Sequence, residues 1–595
     1  LKMTTDAGSG HPTSSLSAVD LLTFLFFEKL RYDLDDPQNT ANDRVIFSKG
    51  HASPLFFALW AAAGAVTETE LADYRKFGSP LEGHPTPRFK YAEAATGSLG
   101  QGLSVGVGMA INAKYLDKID YMTYVLMGDS EVAEGSVWEA AEIASYYKLG
   151  NLVVIVDVNR LGQSGETMLG WDTDTYAARF EAFGWETHVI DGHNMEQIAA
   201  TFAKIGGKSA KPQAIIAKTI KGKGISFLEN KEGWHGKALS ADDLEKAVAE
   251  LGMIEKTKAQ IRKPETKVKS LKIKGKSTGK KLSYKIGEEI ATRKAYGEAL
   301  AALGDSRGDI VCLDGEVKNS TFAEIFKEKH PERFFEMFIA EQNMAGVALG
   351  LSRRGKLAFA STFATFWTRA FDQIRMGAYS DGNVKFVGSH AGVSIGEDGP
   401  SQMGLEDISM FRSVFGSTVV CPGDAVACAR LVEKSLTTPG TFYIRTNRPA
   451  TPVIYKNSEN FAIGGSKIVR SSTRDKLTIV ACGVTLMEAM AAADELGADG
   501  INVRVIDAYS IKPIDASGLK KAAGATGNIV ITVEDHYPEG GLGDAVLEVF
   551  ASDSAVRVYK MAVRKLPMSG RGDELLGYEG ISKSGIMKKV REVLK

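Results

Sequence analysis

Two polar side chains stand at the ends of apolar runs. In YVLMGDSEVAEGSVWEA, residues 124–140, the run closes on Gly128 and the carboxylate of Asp129. In NLVVIVDVNRLGQ, residues 151–163, it closes on the amide of Asn159. Short β-branched runs of this kind read as buried parallel strands. Ligands of open parallel sheets bind beyond the carboxyl ends of the strands. A carboxylate and an amide carbonyl are hard oxygen ligands suited to Mg²⁺ or Ca²⁺, and Mg²⁺ is commonly shared with substrate or cofactor phosphates. Backbone N–H groups at the Gly128 turn and at the start of the next helix suit an anion. The pair suggests a metal that bridges the protein to a diphosphate. Taken alone, Asp129 reads better as a helix cap, and Asn159 brings the two readings level.

The elements that must position these residues alternate along the chain. YMTYVLMG, NLVVIVDVN and QAIIAKT read as strands, and EGSVWEAAEIASYYKL as a helix directly after the Asp129 turn. Further on, DIVCLDGE, KLAFASTFATF, VKFVGSHAGV, STVVCPGD and GTFYIRT form a second alternation. A third begins near residue 460, with KLTIVACGVTLMEAMAAADEL and NIVITVEDHYPEGGLGDAVLEVF each read as strand, glycine turn and helix. The expected architecture is α/β: three consecutive α/β domains with mostly parallel sheets covered on both faces. Their expected bounds are 1–255, 287–457 and 458–595. A lysine-dense, aromatic-poor stretch, 256–286, reads as the linker between the first two. The GGLGD turn reads as a plain tight turn rather than an anion site.

The whole chain sets limits. Its 595 residues are too many for one core, and the formal net charge of −1 argues against a nucleic-acid binder. No apolar run reaches the ~18 residues of a membrane span. The chain opens on Leu1 rather than Met, which suggests a trimmed start. The four cysteines, Cys312, Cys421, Cys428 and Cys482, lack metal-ligand spacing and read as buried thiols, with the cytoplasm as the default location.

GDSE with Asn159 downstream resembles the thiamine-diphosphate motif usually written GDG…NN, with Ser130 in place of the last Gly and Arg160 in place of the second Asn. SGHPTSS, SKGHASP, GHPTP, ATGSLGQGLSVGVGMA, WHG, ATRKAYGEAL, KNSTF, AEQNM, STFATFWTRAFDQIR, GSHAGVSIGEDGPSQM and FYIRTNRP occur in order. Together they resemble the transketolase family over nearly the whole length, most closely its shorter, animal-like form.

The resemblance implies a homodimer with thiamine diphosphate between subunits: the first domain of one holds the diphosphate and the second domain of the other the pyrimidine. Asp129, Asn159 and the carbonyl of Leu161 would bind Mg²⁺ or Ca²⁺. Ser14, His51, Gly97, Ser98, Leu99, Ser130, Lys221 and His235 would line the cofactor. Glu341 would face the pyrimidine nitrogen and promote formation of the cofactor's ylid, with Phe366 packed on the ring and Gln402 where longer relatives carry His. His11, His51, His235 and His390 would serve proton transfer, as the near-neutral pKa of His allows. His84 would join His11, His235 and His390 around the substrate's hydroxyls. Arg293, Ser320, Arg448 and His390 would grip its phosphate, and Asp398 would read a hydroxyl. Glu134 and Glu139 would lie near the dimer interface, where a solvated helix face is the plain alternative. His188, His193 and His330 read as structural.

The implied reaction is reversible transfer of a two-carbon ketol unit from a ketose phosphate such as xylulose 5-phosphate. The acceptor would be an aldose phosphate such as ribose 5-phosphate or erythrose 4-phosphate. The rivals are a related deoxyxylulose-phosphate or dihydroxyacetone synthase, and a non-catalytic transketolase-like protein.

Overall fold

A computed structural model describes residues 1–206, 209–252, 259–265 and 282–595. The expected linker, 256–286, lies largely outside these. The chain divides into two compact units, 1–271 with 345–355 and 379–381, and the remainder.

The first unit is built on five strands, β1 (Arg44–Phe47), β2 (Thr123–Gly128), β3 (Leu152–Val158), β4 (Glu186–Asp191) and β5 (Gln213–Lys218), in the order β1-β2-β3-β5-β4. Every pairing is parallel. β2 and β3 are buried at every residue, as strands covered on both faces must be. β4 is an edge strand and, unlike the buried edge strand β1, mostly open, so it carries no apolar run that a sequence reading could find. The register sets Gly128 beside Asp157, which brings the two strand ends that carry Asp129 and Asn159 together.

The helix after the Asp129 turn starts where the sequence suggests, at the opening of EGSVWEAAEIASYYKL, residues 134–149. A short 3-10 turn, Glu131–Ala133, intervenes, and the helix runs over Gly135–Tyr146. Its cap is Glu134, whose carboxylate accepts the Ser136 N–H at 2.7 Å. The turn before the helix has a cause. Glu131 turns inward, fully buried, and accepts the N–H of Gly100 at 2.7 Å and of Gly128 at 3.1 Å, with Ser48 also on its carboxylate.

The second unit opens with β6 (Glu289–Ala291), β7 (Ile310–Asp314), β8 (Phe334–Glu336), β9 (Leu357–Phe363), β10 (Val384–Ser389), β11 (Thr418–Val420), β12 (Phe442–Arg445) and β13 (Ala450–Pro452). It continues through β14 (Lys467–Arg470), β15 (Thr478–Ala481), β16 (Arg504–Asp507), β17 (Ser510–Lys512), β18 (Ile529–Val533) and β19 (Arg557–Met561). One sheet runs β17-β11-β12-β10-β9-β7-β8, and another β14-β16-β15-β18-β19. Both are parallel apart from an edge strand each, β17 on β11 and β14 on β16. β6 and β13 form a separate antiparallel ribbon. β17 comes from the third alternation yet completes the sheet of the second.

A buried polar cluster ties these layers. Arg445 donates to Asp407 at 2.8 Å and to the carbonyls of Gly404 and Asp535 at 2.9 Å each. Beside it, His536 is fully buried as a neutral ring, with Nδ1 on the Tyr537 carbonyl at 2.6 Å and Nε2 accepting from Ser409 N–H at 3.4 Å. The GGLGD turn donates to a carboxyl of the chain's own, Glu534, which burial raises to about 7. Glu534 accepts the N–H of Leu542 at 2.6 Å and of Gly543 at 2.9 Å.

Candidate active site

At the carboxyl end of the first sheet lies a cavity of about 350 Å³. Of the residues expected there, His11, Ser14, His51, His84, Gly97, Leu99, Asp129, Ser130, Asn159, Leu161, Lys221 and His235 all line it. Gly97 has φ +126°, and a Cβ on it would meet the His84 ring at 3.0 Å, so the turn requires glycine. Glu131, described above, bolts that turn to the strand end through Gly100 and Gly128. Nothing in the sequence marks an acid just past a strand end as one that turns inward.

Four imidazoles converge. Ring centres of His11 and His51 lie 5.1 Å apart, His11 and His235 5.0 Å, His51 and His235 5.1 Å, and His11 and His84 6.3 Å. Burial, then the neighbouring His235, lowers His11 to about 3. Burial, then Lys221, lowers His235 to about 4. Burial and Lys49 push His51 down, and burial and Arg75 lower His84. All four are therefore neutral near pH 7, able both to donate and to accept a hydrogen bond.

Asp129 is buried, and burial followed by the charge of Asp157 raises its carboxyl to about 6. Its oxygens accept from Ser130 N–H at 2.9 Å, Arg160 N–H at 2.7 Å and Thr167 Oγ1 at 3.2 Å. Asn159 Oδ1 accepts from Leu161 N–H at 3.2 Å, and the Leu161 carbonyl accepts from Lys221 Nζ at 2.7 Å. Lys221 also meets His235 Nδ1 at 2.8 Å, and burial and Lys49 lower it to about 8. An ammonium thus sits on the carbonyl expected to ligate a metal. Among the described residues no group of three or more His, Cys, Asp and Glu is placed to hold a metal. The expected ligand set, one carboxylate, one amide oxygen and one backbone carbonyl, is of another composition, and it suits a hard cation.

The two departures from the motif do not block the site. Arg160 makes its bond to Asp129 through the backbone, at φ +61°. Its side chain goes to Asn230 Oδ1 at 2.8 Å and lies over Trp171, 4.9 Å from the ring centre. Ser130 lines the cavity, and its N–H is on Asp129. Inside the cavity Ser14 Oγ and His11 Nδ1 are buried without a hydrogen-bond partner. A ligand rich in acceptors would complete them, so the residues present fit a diphosphate with its cation.

Asp157 is the largest omission of the sequence reading. It is fully buried and bonds Lys49, Thr219, Ser17 Oγ at 2.6 Å and Asn159 Nδ2 at 3.1 Å. It orients the Asn159 amide so that Oδ1 faces the turn. Removing one partner of the buried Lys49–Asp157 pair would cost about 3–5 kcal/mol. The signal was available: a lone acid inside an apolar strand. His193, read as structural, bridges Asp20 at 2.7 Å and the Ile220 N–H at 2.9 Å, fixing the turn that carries Lys221. His330 is held by the Ala301 carbonyl at 3.0 Å and Arg333 at 2.7 Å. His188 lies 3.7 Å from Glu186.

The second unit carries the other group. Glu341, buried, opens the helix Glu341–Arg353, and Arg369 Nη1 lies 3.3 and 3.2 Å from its two oxygens. Phe366, Phe363 and His390 stack in series, with ring centres 5.2 Å and then 3.8 Å apart. Burial, then Arg293 and Arg448, lowers His390 to about 3. Arg293 donates to the Ser320 carbonyl at 2.8 Å, and its Nε is buried without a partner. Arg448 Nη1 donates to the Ile395 carbonyl at 2.7 Å and to Asp398 at 2.9 Å. Arg293 and Arg448 share a cavity of about 620 Å³, which the side chains of Ser320, His390 and Asp398 do not line. Gln402 is half-buried in the short turn Pro400–Gln402.

An α/β protein that gathers neutral histidines with a carboxylate, an amide and a carbonyl oxygen at two adjoining strand ends, and carries paired arginines in its other unit, has the features expected of a thiamine-diphosphate-binding protein. Three family profiles agree: "Transketolase, thiamine diphosphate binding domain" over residues 1–305, "Transketolase, pyrimidine binding domain" over 288–453 and "Transketolase, C-terminal domain" over 465–586. The chain is 49% identical to human transketolase over 597 positions, covering 100% of this chain and 95% of the human one. It is also 49% identical to mouse transketolase-like protein 2, over 100% of this chain and 95% of that one. The Campylobacter jejuni transketolase structure superposes with TM-score 0.86 at 25% identity, covering 99% of this chain and 97% of that one. The chain belongs to the transketolase family, a family of transferases.

Proposed function

We propose that this protein transfers a two-carbon ketol unit reversibly from a ketose phosphate such as xylulose 5-phosphate to an aldose phosphate such as ribose 5-phosphate or erythrose 4-phosphate. The observation that carries this reading is the convergence of twelve family-motif positions on one cavity at a sheet's carboxyl end. The domain bounds of the sequence reading, 1–255, 287–457 and 458–595, stand as part of the proposal, as do a homodimer and a cytoplasmic location. No helix of the described residues is long and apolar enough to cross a membrane.

Thiamine diphosphate, when bound, supplies the nucleophilic carbon and the electron sink that ketol transfer needs. Asp129, Asn159 and the Leu161 carbonyl would hold Mg²⁺ or Ca²⁺, once Lys221 turns from the carbonyl toward phosphate oxygens. Ser14, Gly97, Ser98, Leu99 and Ser130 would contact the cofactor. Glu341 would face the pyrimidine of the partner subunit's site, with Phe366 against the ring and Gln402 nearby. His11, His51, His84 and His235 are neutral and packed together, so each can hydrogen-bond a sugar hydroxyl as donor or acceptor. With His11 lowered to about 3 and His235 to about 4 they are weak bases in the protein alone, and taking up a proton from the sugar would need the bound substrate to raise those values. Arg293, Ser320, His390 and Arg448 would take the sugar phosphate, and Asp398 a hydroxyl. Glu134 caps the helix Gly135–Tyr146, and a place for Glu134 and Glu139 near the dimer interface stands as part of the proposal.

The test is a coupled assay with thiamine diphosphate, Mg²⁺, xylulose 5-phosphate and ribose 5-phosphate. Sedoheptulose 7-phosphate and glyceraldehyde 3-phosphate should both form and should vanish without the cofactor. Cofactor binding without product would point to the related synthases. Neither binding nor product would make this a non-catalytic relative.

A further inference from the structure

Arg369 was singled out by nothing in the sequence. It lies on the short turn Thr365–Ala370, with a side chain 57% exposed, yet its guanidinium reaches the buried Glu341 carboxylate. Nη1 is 3.3 Å from Oε1 and 3.2 Å from Oε2, and the guanidinium carbon lies 5.6 Å from the Phe366 ring centre. A planar group with N–H donors therefore meets one acid and one aromatic face. Those are the two contacts proposed above for the pyrimidine ring of the cofactor.

We propose that Arg369 is a built-in placeholder for the pyrimidine, satisfying Glu341 in the free chain and competing with the cofactor for it. The inference rests on the reading of Glu341 and Phe366 given under the proposed function. A buried carboxylate left alone is costly, and the Arg369 guanidinium supplies the donor partner that Glu341 would otherwise take from the ring. The stand-in must also leave. The contacts of 3.2 and 3.3 Å are longer than the 2.7–2.9 Å typical of a tight charge-assisted bond. A half-exposed side chain returns to water at small cost. If the held form makes up about nine-tenths of the free protein, the apparent dissociation constant is raised about tenfold.

The experiment titrates the full-length protein, freed of cofactor, and reads tryptophan fluorescence. Two ligands are compared in the presence of Mg²⁺: thiamine diphosphate, and inorganic diphosphate, which lacks the ring. Arg369→Gln should tighten thiamine diphosphate binding about tenfold and leave inorganic diphosphate unchanged. Arg369→Lys, which keeps the charge, should stay closer to the parent. Arg369→Met gives the same reading should the Gln variant fold poorly. Unchanged or weakened thiamine diphosphate binding in the neutral variants would overturn the proposal, as would equal tightening of both ligands. A parent protein that binds inorganic diphosphate but gains nothing from the ring would instead bring down the pyrimidine assignment itself.

Discussion

Arg448→Ala isolates the phosphate grip. In the free chain Arg448 spends one nitrogen on the Ile395 carbonyl and on Asp398, and its side chain is one-third exposed, at 34%. A charge-assisted bond from the rest of its fork to a sugar phosphate is worth about 1.5–3 kcal/mol. Against that stands the ion pair with Asp398, which the phosphate must loosen and which at this exposure contributes about 0–1 kcal/mol. The net loss in Arg448→Ala is then about 0.5–3 kcal/mol, or about 2- to 160-fold in KM for the phosphorylated acceptor. Arg293 remains, so binding is weakened rather than abolished. With the donor kept saturating, KM and kcat are measured for ribose 5-phosphate and for unphosphorylated ribose. The reasoning requires KM for ribose 5-phosphate to rise with kcat nearly intact, and KM for ribose to stay put. Equal losses on both acceptors would refute it, since a phosphate contact cannot be felt by a sugar without phosphate.

Glu341→Gln should leave thiamine diphosphate binding measurable by titration while turnover is lost; near-parental turnover would remove Glu341 from the chemistry. Thiamine diphosphate affinity should depend on Mg²⁺ in the parent and lose that dependence in Asp129→Ala, and a variant that keeps it would sink the metal assignment. Burial lowers His536 to about 4 from an unfolded value of 6.5, so the unfolded chain takes up a proton first as pH falls. Stability from this group is complete above pH 6.5 and is lost as pH drops toward 4, by about 2 kcal/mol at pH 5. In urea unfolding of the second unit's signal, His536→Gln should lose about 2 kcal/mol less between pH 7.5 and 5 than the parent; parallel curves would contradict the assignment.

Much of the α/β alternation was legible because β2 and β3 are buried on both faces and so read as unbroken apolar runs. β4 was not, since an open edge strand has no reason to be apolar. Asp129 and Asn159 could be found because strand ends are where such residues act. Asp157 and Lys49 could not be paired from sequence: 108 positions separate them, and only the sheet register shows that the acid has a cation waiting. Glu131 and Arg369 hid for a related reason. Each is a charged residue of a type that normally faces water, and only the fold turns it onto the site.

The placement of β17 has a bearing on how this chain can be divided. Ser510–Lys512 pairs with β11, a strand some ninety positions earlier, and Lys512 reaches the carbonyls of Arg412 at 2.8 Å and Val414 at 2.6 Å. A fragment ended near residue 457 would therefore present a bare, sticky sheet margin where β17 had been, open to pairing with its own copies. The C-terminal piece made alone would carry a strand with nothing to lie against. A cut-and-express experiment at the apparent border of the second and third alternations should give one aggregating product and one frayed one, and mixing the two should restore solubility.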